Sequence, residues 1–240
     1  MNLTIDQGNS FTKIGLFKNE ECLENSIFKD FDENKVIEIF SKYAIENCIL
    51  SSVINTPPSL IETLKKSSNF FIELNEKTPL PIKNLYKTPD SLGKDRIAVA
   101  VAANYLKPNT NCLVIDAGTT ITYELITANG EYLGGNISPG MNMRFKALHT
   151  FTKKLPLIDY SENYYLMGND TQSAILSGIM NGIVFEMNGY INELKIKYPD
   201  LSVFLTGGDS FFFDTKLKNR IFATKNLLLI GLNRILNYNV

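Results

Sequence analysis

The chain has 240 residues, enough for one large domain or two small ones, and 44% of them are hydrophobic, which supports a sizeable core. Its 24 basic and 25 acidic side chains leave a net charge of −1, excluding a general electrostatic footprint for nucleic acid or anionic lipid. Cys22, Cys48 and Cys112 lie far apart, His149 is the one histidine, and no CxxC or Cys/His ligand spacing exists, which excludes a zinc site or a disulfide framework. No apolar run approaches the roughly 18 residues of a membrane span, and the N-terminal stretch lacks a basic-then-apolar signal pattern. The expectation is a soluble, cytoplasmic protein with no nucleic-acid or membrane partner. Its chemistry must rest on carboxylates, lysine, backbone amides or a bound metal ion.

In chain order, residues 2–6 read as a short strand and residues 11–18 and 21–28 as a hairpin around Asn19-Glu20. Residues 32–43 carry Val36, Ile37, Ile39 and Phe40 at helical spacing, with Asp32 as N-cap. Residues 47–53 are β-like, and Pro57-Pro58 opens a helix to about residue 66, since proline suits a first turn. Residues 70–74 form another strand, the proline-rich 78–89 a loop, and 92–106 an alanine-rich helix. The pattern then restarts with a strand over 112–116 and a hairpin of 120–127 and 131–137 around Asn129-Gly130. A helix over 139–149, a loop over 157–169, a long helix over 170–198, a strand over 202–206 and a last helix over 225–238 complete the chain. Met141, Met143, Met180 and Met187 read as packing residues, and His149 as structural.

The restart is a repeat. Residues 3–12 (LTIDQGNSFT) align with 113–122 (LVIDAGTTIT) at a constant offset of 110, with Leu, Ile, Asp, Gly and Thr coinciding. Duplicated openings predict two similar α/β lobes, over 1–107 and 108–240, with a cleft between them; the C-terminal helix has the option of packing back on the first lobe.

Both openings place Asp-x-Gly at a strand end. Glycine permits a tight turn and close approach of backbone N–H groups to an anion, while hydroxyl and amide side chains add donors. In the first copy, Asp6 can hold Mg²⁺ directly or through water, and Lys13 can supply positive charge to a phosphate. An ordinary hairpin turn with a surface lysine is the alternative for that copy taken alone. The second copy, Asp116 to Thr120, and a third glycine turn at Gly207-Gly208 point instead to a polyphosphate ligand. There is no GxxxxGK[ST] and no GxGxxG, so a P-loop and a dinucleotide fingerprint are excluded. Asp95 and Arg96 stand together at the start of the alanine-rich helix. An ionised carboxylate can take a proton from a substrate hydroxyl, and a guanidinium can grip a substrate carboxylate; a capping Asp beside a solvated Arg is the alternative. Gly134 to Gly140 joins a strand to a helix, suiting close packing or an anion at a helix N-terminus, and Asp170 reads as an N-cap with Thr171 free to meet a ligand.

Taken together, these motifs resemble the type III pantothenate kinases, over nearly the whole chain and in order. The pieces are Asp6-x-Gly8-Asn9-Ser10 with Lys13, Gly93-x-Asp95-Arg96, Asp116-x-Gly118-Thr119, Gly134-Gly135-x-Ile137-x-Pro139-Gly140, Gly168-x-x-Thr171 and Thr206-Gly207-Gly208. Ser10 stands where the family often has Thr, and Lys94 fills a variable position. The resemblance implies two actin-like (ribonuclease H-like) lobes with a nucleotide cleft between them. It implies transfer of the ATP γ-phosphoryl group to the hydroxyl of pantothenate, the first step of coenzyme A biosynthesis. It further implies that Asp6, Gln7, Gly8, Asn9, Ser10, Phe11, Thr12 and Lys13 form the ATP phosphate segment, with Asp6 near Mg²⁺, and that Thr119 contacts ATP. By the same resemblance Asp95 accepts the proton; Tyr86, Gly93, Lys94, Asp95, Arg96 and Thr171 contact pantothenate; and Asp116 binds K⁺ or NH₄⁺. The family is homodimeric through its second lobes. A kinase of another small alcohol or acid, and a catalytically silent nucleotide-binding regulator, are the competing expectations.

Overall fold

A computed structural model describes residues 1–240. The chain forms two compact units: residues 1–108, 129–133 and 226–240 make unit 1, and residues 109–128 and 134–225 make unit 2.

Unit 1 contains β1 (Asn2–Gln7), β2 (Thr12–Lys18), β3 (Glu21–Phe28), α1 (Glu33–Lys42), β4 (Asn47–Ser52), α2 (Pro58–Ser67), β5 (Phe70–Glu73), β6 (Lys83–Asn84), α3 (Lys94–Leu106) and, from the C-terminus, α6 (Leu227–Asn239). Its sheet runs β3-β2-β1-β4-β5, with β1 antiparallel to β2 and parallel to β4. Because side chains alternate along a strand, Leu3 and Ile5 face one side with Ile14, Leu16, Cys48 and Leu50. There they pack with Val36, Ile39, Leu60 and Leu64 of α1 and α2. Asp32 caps α1 as expected, accepting from the Lys35 N–H at 3.0 Å. Asn2, Thr4 and Asp6 face the other side, where α6 lies. Asn2 Nδ2 donates to Asn233 Oδ1 at 2.9 Å and to Asn237 Oδ1 at 2.6 Å. Helices α6 and α3 meet at Gly231, where any Cβ would come within 1.9 Å of the Ala98 carbonyl oxygen. Only a glycine facing an alanine-rich helix allows that approach.

Unit 2 contains β7 (Cys112–Ala117), β8 (Thr120–Ile126), most of β9 (Glu131–Pro139), α4 (Met141–Phe151), α5 (Thr171–Lys197), β10 (Ser202–Thr206) and β11 (Phe222–Ala223). Its strand order, β9-β8-β7-β10-β11, reproduces that of unit 1 strand for strand. Leu113, Ile115 and Ala117 face α4 and α5, burying Met141, Phe145, Ile179, Met180, Ile183 and Met187 among them. The even-numbered residues of β7, Val114 and Asp116, point to the opposite face, as Thr4 and Asp6 do in β1.

The structure corrects the sequence reading in four places. First, the repeat offset is not constant. Asp6 opposes Lys13 and Gln7 opposes Thr12, whereas Asp116 opposes Thr122 and Ala117 opposes Ile121. The second turn is therefore one residue shorter, and past it the offset is 109. Lys13 corresponds to Thr122, not to Tyr123. Second, the stretch read as a loop over 78–89 contains β6, paired in parallel with residues 131–132, both within unit 1. Third, α3 and α4 begin at Lys94 and Met141, two residues later than the sequence suggests, because Gly93 and Gly140 are the N-caps and Pro139 stays in β9. Fourth, β11 lies in a segment whose sequence carries no strand signal.

Candidate active site

In unit 1 the β1–β2 turn is closed by the Gly8 N–H donating to the Phe11 carbonyl at 3.0 Å. Asn9, Ser10 and Phe11 are exposed at its tip, while Asp6, Gln7 and Thr12 are buried at its base. Directly opposed residues of paired strands share a face, so Lys13 and Ser51 flank Asp6 on either side. Ser51 Oγ donates to Asp6 Oδ1 at 3.4 Å. Gln7 points to the other face. Its Oε1 accepts from Thr56 Oγ1 at 2.7 Å and Ser52 Oγ at 3.2 Å, and its carbonyl accepts from the Val53 N–H. The Gln7 side chain is thus held within unit 1, tying the turn to the end of β4.

The second group in unit 1 gathers at the start of α3. Asp95 Oδ1 accepts from the Arg96 N–H at 2.8 Å, so one carboxylate oxygen satisfies an orphan donor of the first helical turn. A Cβ at residue 93 would come within 2.4 Å of Asp95 Oδ1, so a side chain there would displace that carboxylate from its bond to the Arg96 N–H. Arg96 is 6% exposed, so the solvated-arginine alternative fails. Its guanidinium carbon lies over the ring of Tyr86, 5.5 Å from the centroid, and the Tyr86 ring sits 6.3 Å from that of Tyr132. That distance is within cation–π range, and a guanidinium is the group that can grip a carboxylate bidentately. Lys94 is half-buried among Leu74, Asn84, Pro89 and Leu92.

In unit 2, Asp116 sits on β7 between Thr122 of β8 and Thr206 of β10. Gly207 has φ +97°, and a Cβ there would lie 2.2 Å from the Ala117 carbonyl and 2.5 Å from Asp116 Oδ1. Its glycine is required by the protein's own backbone. Gly208, by contrast, has nothing within 4 Å of a Cβ. Burial pushes the Asp209 carboxyl up from its ordinary value. Thr119 is exposed at the tip of the β7–β8 turn, and its carbonyl accepts from the Gly140 N–H at 3.1 Å. The glycine-dense stretch therefore braces this turn: a Cβ at Gly140 would lie 2.2 Å from the Gly118 carbonyl.

At the start of α5, Asp170 forms a capping box. Its Oδ1 accepts from the Gln172 and Ser173 N–H groups at 2.9 and 3.1 Å, and Ser173 Oγ donates to Oδ2 at 2.6 Å. These bonds, led by the Ser173 hydroxyl, hold its carboxyl below the ordinary value. A Cβ at Gly168 would lie 2.2 Å from the Ala174 nitrogen, so Gly168 lets the loop close over the helix start and leaves Thr171 exposed. His149 donates to, or accepts from, nothing catalytic; its Nδ1 is 2.9 Å from the Leu155 carbonyl oxygen. Burial pushes the Cys48 thiol far up, which removes it as a nucleophile.

A cluster that sequence reasoning missed lies under the β9–α4 junction. Arg144 Nη2 donates to Glu186 Oε2 at 2.5 Å and Ser138 Oγ at 2.9 Å, its Nε donates to the Pro139 carbonyl at 2.8 Å, and the Tyr123 hydroxyl donates to Glu186 Oε1 at 2.8 Å. Burial raises the Glu186 carboxyl, but the hydrogen bonds from Arg144, Tyr123 and Ser138 outweigh it and hold it below its ordinary value. No spacing in the sequence links residues 123, 144 and 186; only the packing of β8, α4 and α5 does.

Residues 2–193 match the family model for type III pantothenate kinase. A type III pantothenate kinase of Phocaeicola vulgatus is 49% identical over 239 residues, covering 100% of this chain and 99% of its own. One from Christiangramia forsetii is 49% identical over 242 residues, at 100% and 99% coverage. Among solved structures, a Campylobacter jejuni chain described as a candidate Baf family transcriptional activator superposes with a TM-score of 0.62 at 25% identity, covering 99% and 98% of the two chains. A glucokinase from an Antarctic psychrotroph superposes with a TM-score of 0.54 at 13% identity, covering 99% and 98%. That last likeness carries the fold alone, and the fold is the actin-like one repeated in both units.

Proposed function

The chain belongs to the type III pantothenate kinase family and phosphorylates pantothenate with ATP in coenzyme A biosynthesis, and from that premise we propose how its residues divide the work. Asp95 is the proton acceptor, and the observation that carries this is its geometry: Oδ1 accepts from the Arg96 N–H, which anchors the carboxylate at the start of α3 and gives Oδ2 the role of taking the proton. The hydroxyl proton of pantothenate passes to Oδ2 as its oxygen bonds to the γ-phosphorus. The bond from that phosphorus to the β,γ-bridging oxygen breaks, and ADP leaves. Arg96, whose guanidinium lies over the Tyr86 ring, holds the pantothenate carboxylate, and Tyr86, Gly93, Lys94 and Thr171 are the other substrate contacts.

The turn of residues 6–13 serves the ATP phosphates through its backbone N–H groups and Lys13, and the Thr119 turn serves the same nucleotide. Mg²⁺ is assigned to Asp6, where a carboxylate stands beside the Ser51 hydroxyl, and K⁺ or NH₄⁺ to Asp116, whose cross-strand neighbours Thr122 and Thr206 both carry hydroxyls. When bound, these cations neutralise charge on the transferring phosphoryl group.

We propose a homodimer through α5. Gly178, Gly182, Phe185 and Gly189 follow one another at helical spacing on one stripe. A Cβ at any of the three glycines meets nothing within 4 Å in this chain, and Phe185 is 60% exposed. Each glycine costs a helix about 1 kcal/mol relative to alanine, so three on an open stripe make sense where a second backbone comes close.

The test of the catalytic assignment is Asp95→Asn, which keeps the shape and removes the acceptor charge. Mass spectrometry should show phosphopantothenate from the wild type, and the variant should lose about 10²–10³-fold in kcat, roughly 3–4 kcal/mol of barrier, with ATP KM little changed. A variant with near wild-type kcat would falsify the assignment and leave Asp6 as the next acceptor. Arg96→Lys keeps the charge but loses the fork, and should raise the pantothenate KM more than it lowers kcat. For the dimer, light scattering should give twice the 27.0 kDa chain mass, and Gly182→Leu should return it to one.

A further inference from the structure

We infer that Arg144 and Glu186 are positioning residues for the nucleotide turn at Thr119, acting through the start of α4. The inference rests on the assignment of Thr119 to ATP and adds to it the device that holds that turn in place.

The chain of contacts lies wholly within unit 2. The Thr119 carbonyl is bonded to the Gly140 N–H at 3.1 Å, and Gly140 is the N-cap of α4. Gly140 abuts Gly118 and Thr119 so closely that no side chain fits. Whatever fixes residues 138–140 therefore fixes the turn, because the two backbones have no slack between them.

Arg144, one helical turn into α4, reaches back to do this. Its Nε donates to the Pro139 carbonyl and its Nη2 to Ser138 Oγ, so one guanidinium grips two consecutive residues before the cap. The fork needs an anchor, and Glu186 of α5 supplies it. Glu186 is in turn oriented by the Tyr123 hydroxyl, and Tyr123 stands on β8, the strand that follows the Thr119 turn. Strand, junction and both helices are thus tied at one carboxylate. The Arg144 and Glu186 side chains are 20% and 24% exposed, so the pair is shielded enough for its geometry to be well defined.

A planar fork making three simultaneous contacts is not replaced by lysine. Charge alone would survive Arg144→Lys; the hold on Pro139 and Ser138 would not. A pair that merely adds stability would lower the melting temperature of these variants and leave both Michaelis constants in place. A positioning pair moves the ATP constant selectively, because pantothenate is assigned to other residues.

The test compares steady-state KM for ATP and for pantothenate in Glu186→Gln, Arg144→Lys and Tyr123→Phe, with Thr119→Val as the reference. Glu186→Gln and Arg144→Lys should raise the ATP KM about tenfold, with the pantothenate KM within twofold of wild type. Their double variant should be no worse than the poorer single, since both break one device. Tyr123→Phe removes a single hydroxyl, keeps the fold if the others do not, and should raise the ATP KM about threefold. If Thr119→Val raises the ATP KM while folded Glu186→Gln, Arg144→Lys and Tyr123→Phe do not, the positioning inference is overturned and the Thr119 assignment stands. If Thr119→Val itself leaves the ATP KM unchanged, the assignment fails and takes the inference with it. A rise in both Michaelis constants together, tracking lost melting temperature, marks a general loss of native structure rather than a selective effect on the nucleotide turn, and also overturns it.

Discussion

The two strand–turn–strand openings share a topology and differ in turn length and in the residues beside their carboxylates. In unit 1, Asp6 is flanked by Lys13 and Ser51; in unit 2, Asp116 is flanked by Thr122 and Thr206. The first turn leaves four residues between its last paired positions and the second leaves three. The duplicated frame places a carboxylate at the same strand end twice, with different cross-strand neighbours. In the proposed division of work, the lysine beside Asp6 goes with phosphate and Mg²⁺, and the two hydroxyl-bearing neighbours of Asp116 go with a monovalent ion.

The largest expected effect comes from removing the charge at each strand end in turn. Asp6→Asn should cost about 10²–10³-fold in kcat/KM, the magnitude of losing one stabiliser of transition-state charge, with the K⁺-over-Na⁺ preference intact. Asp116→Asn should instead bring the activities in K⁺ and Na⁺ together. Identical behaviour of the two variants in both salts would erase the comparison.

Next come the glycines. Gly207→Ala forces a Cβ into the Ala117 carbonyl at positive φ and should destabilise by roughly 2–5 kcal/mol. Gly118→Ala, where a Cβ would sit 3.8 Å from the Thr120 carbonyl, should change stability by about 1 kcal/mol or less. Thermal melts distinguish the two, and equal shifts would mean that the close approach at Gly207 is relieved by backbone movement. Lys13→Thr makes the first opening resemble the second; it should raise the ATP KM about tenfold and leave the monovalent preference untouched.

The smallest effect is confined to unit 2. The Asp170 carboxyl is held below its ordinary value by the capping box, so its contribution is present above that ordinary value and fades as pH falls through the lower, folded one. Asp170→Asn should therefore melt slightly earlier than wild type at neutral pH, and the gap should close in acid. A gap that widens as pH falls would reverse the sign of the linkage.

Much of this architecture is legible in the residues. Local signals placed the long elements: Asp32 and Asp170 cap the helices they precede, and the Asp-x-Gly turns end the strands they follow. The repeat itself announced two units, because both copies kept the same apolar alternation before the same turn. Tertiary structure alone decided the rest. The one-residue difference between the turns is invisible in an ungapped alignment, since hairpin register is set by pairing partners rather than by sequence similarity. The strands β6 and β11 have two residues each, too few for any periodicity to show, and exist because a neighbour offers its edge. The seat of α6 depends on Gly231 meeting Ala98, which is far away in sequence. The Arg144–Glu186–Tyr123 cluster spans three elements, and no local pattern encodes it. Periodicity and capping are properties of neighbours along the chain, so a sequence can state them; contacts between distant segments come into being only when the hydrophobic faces have already docked.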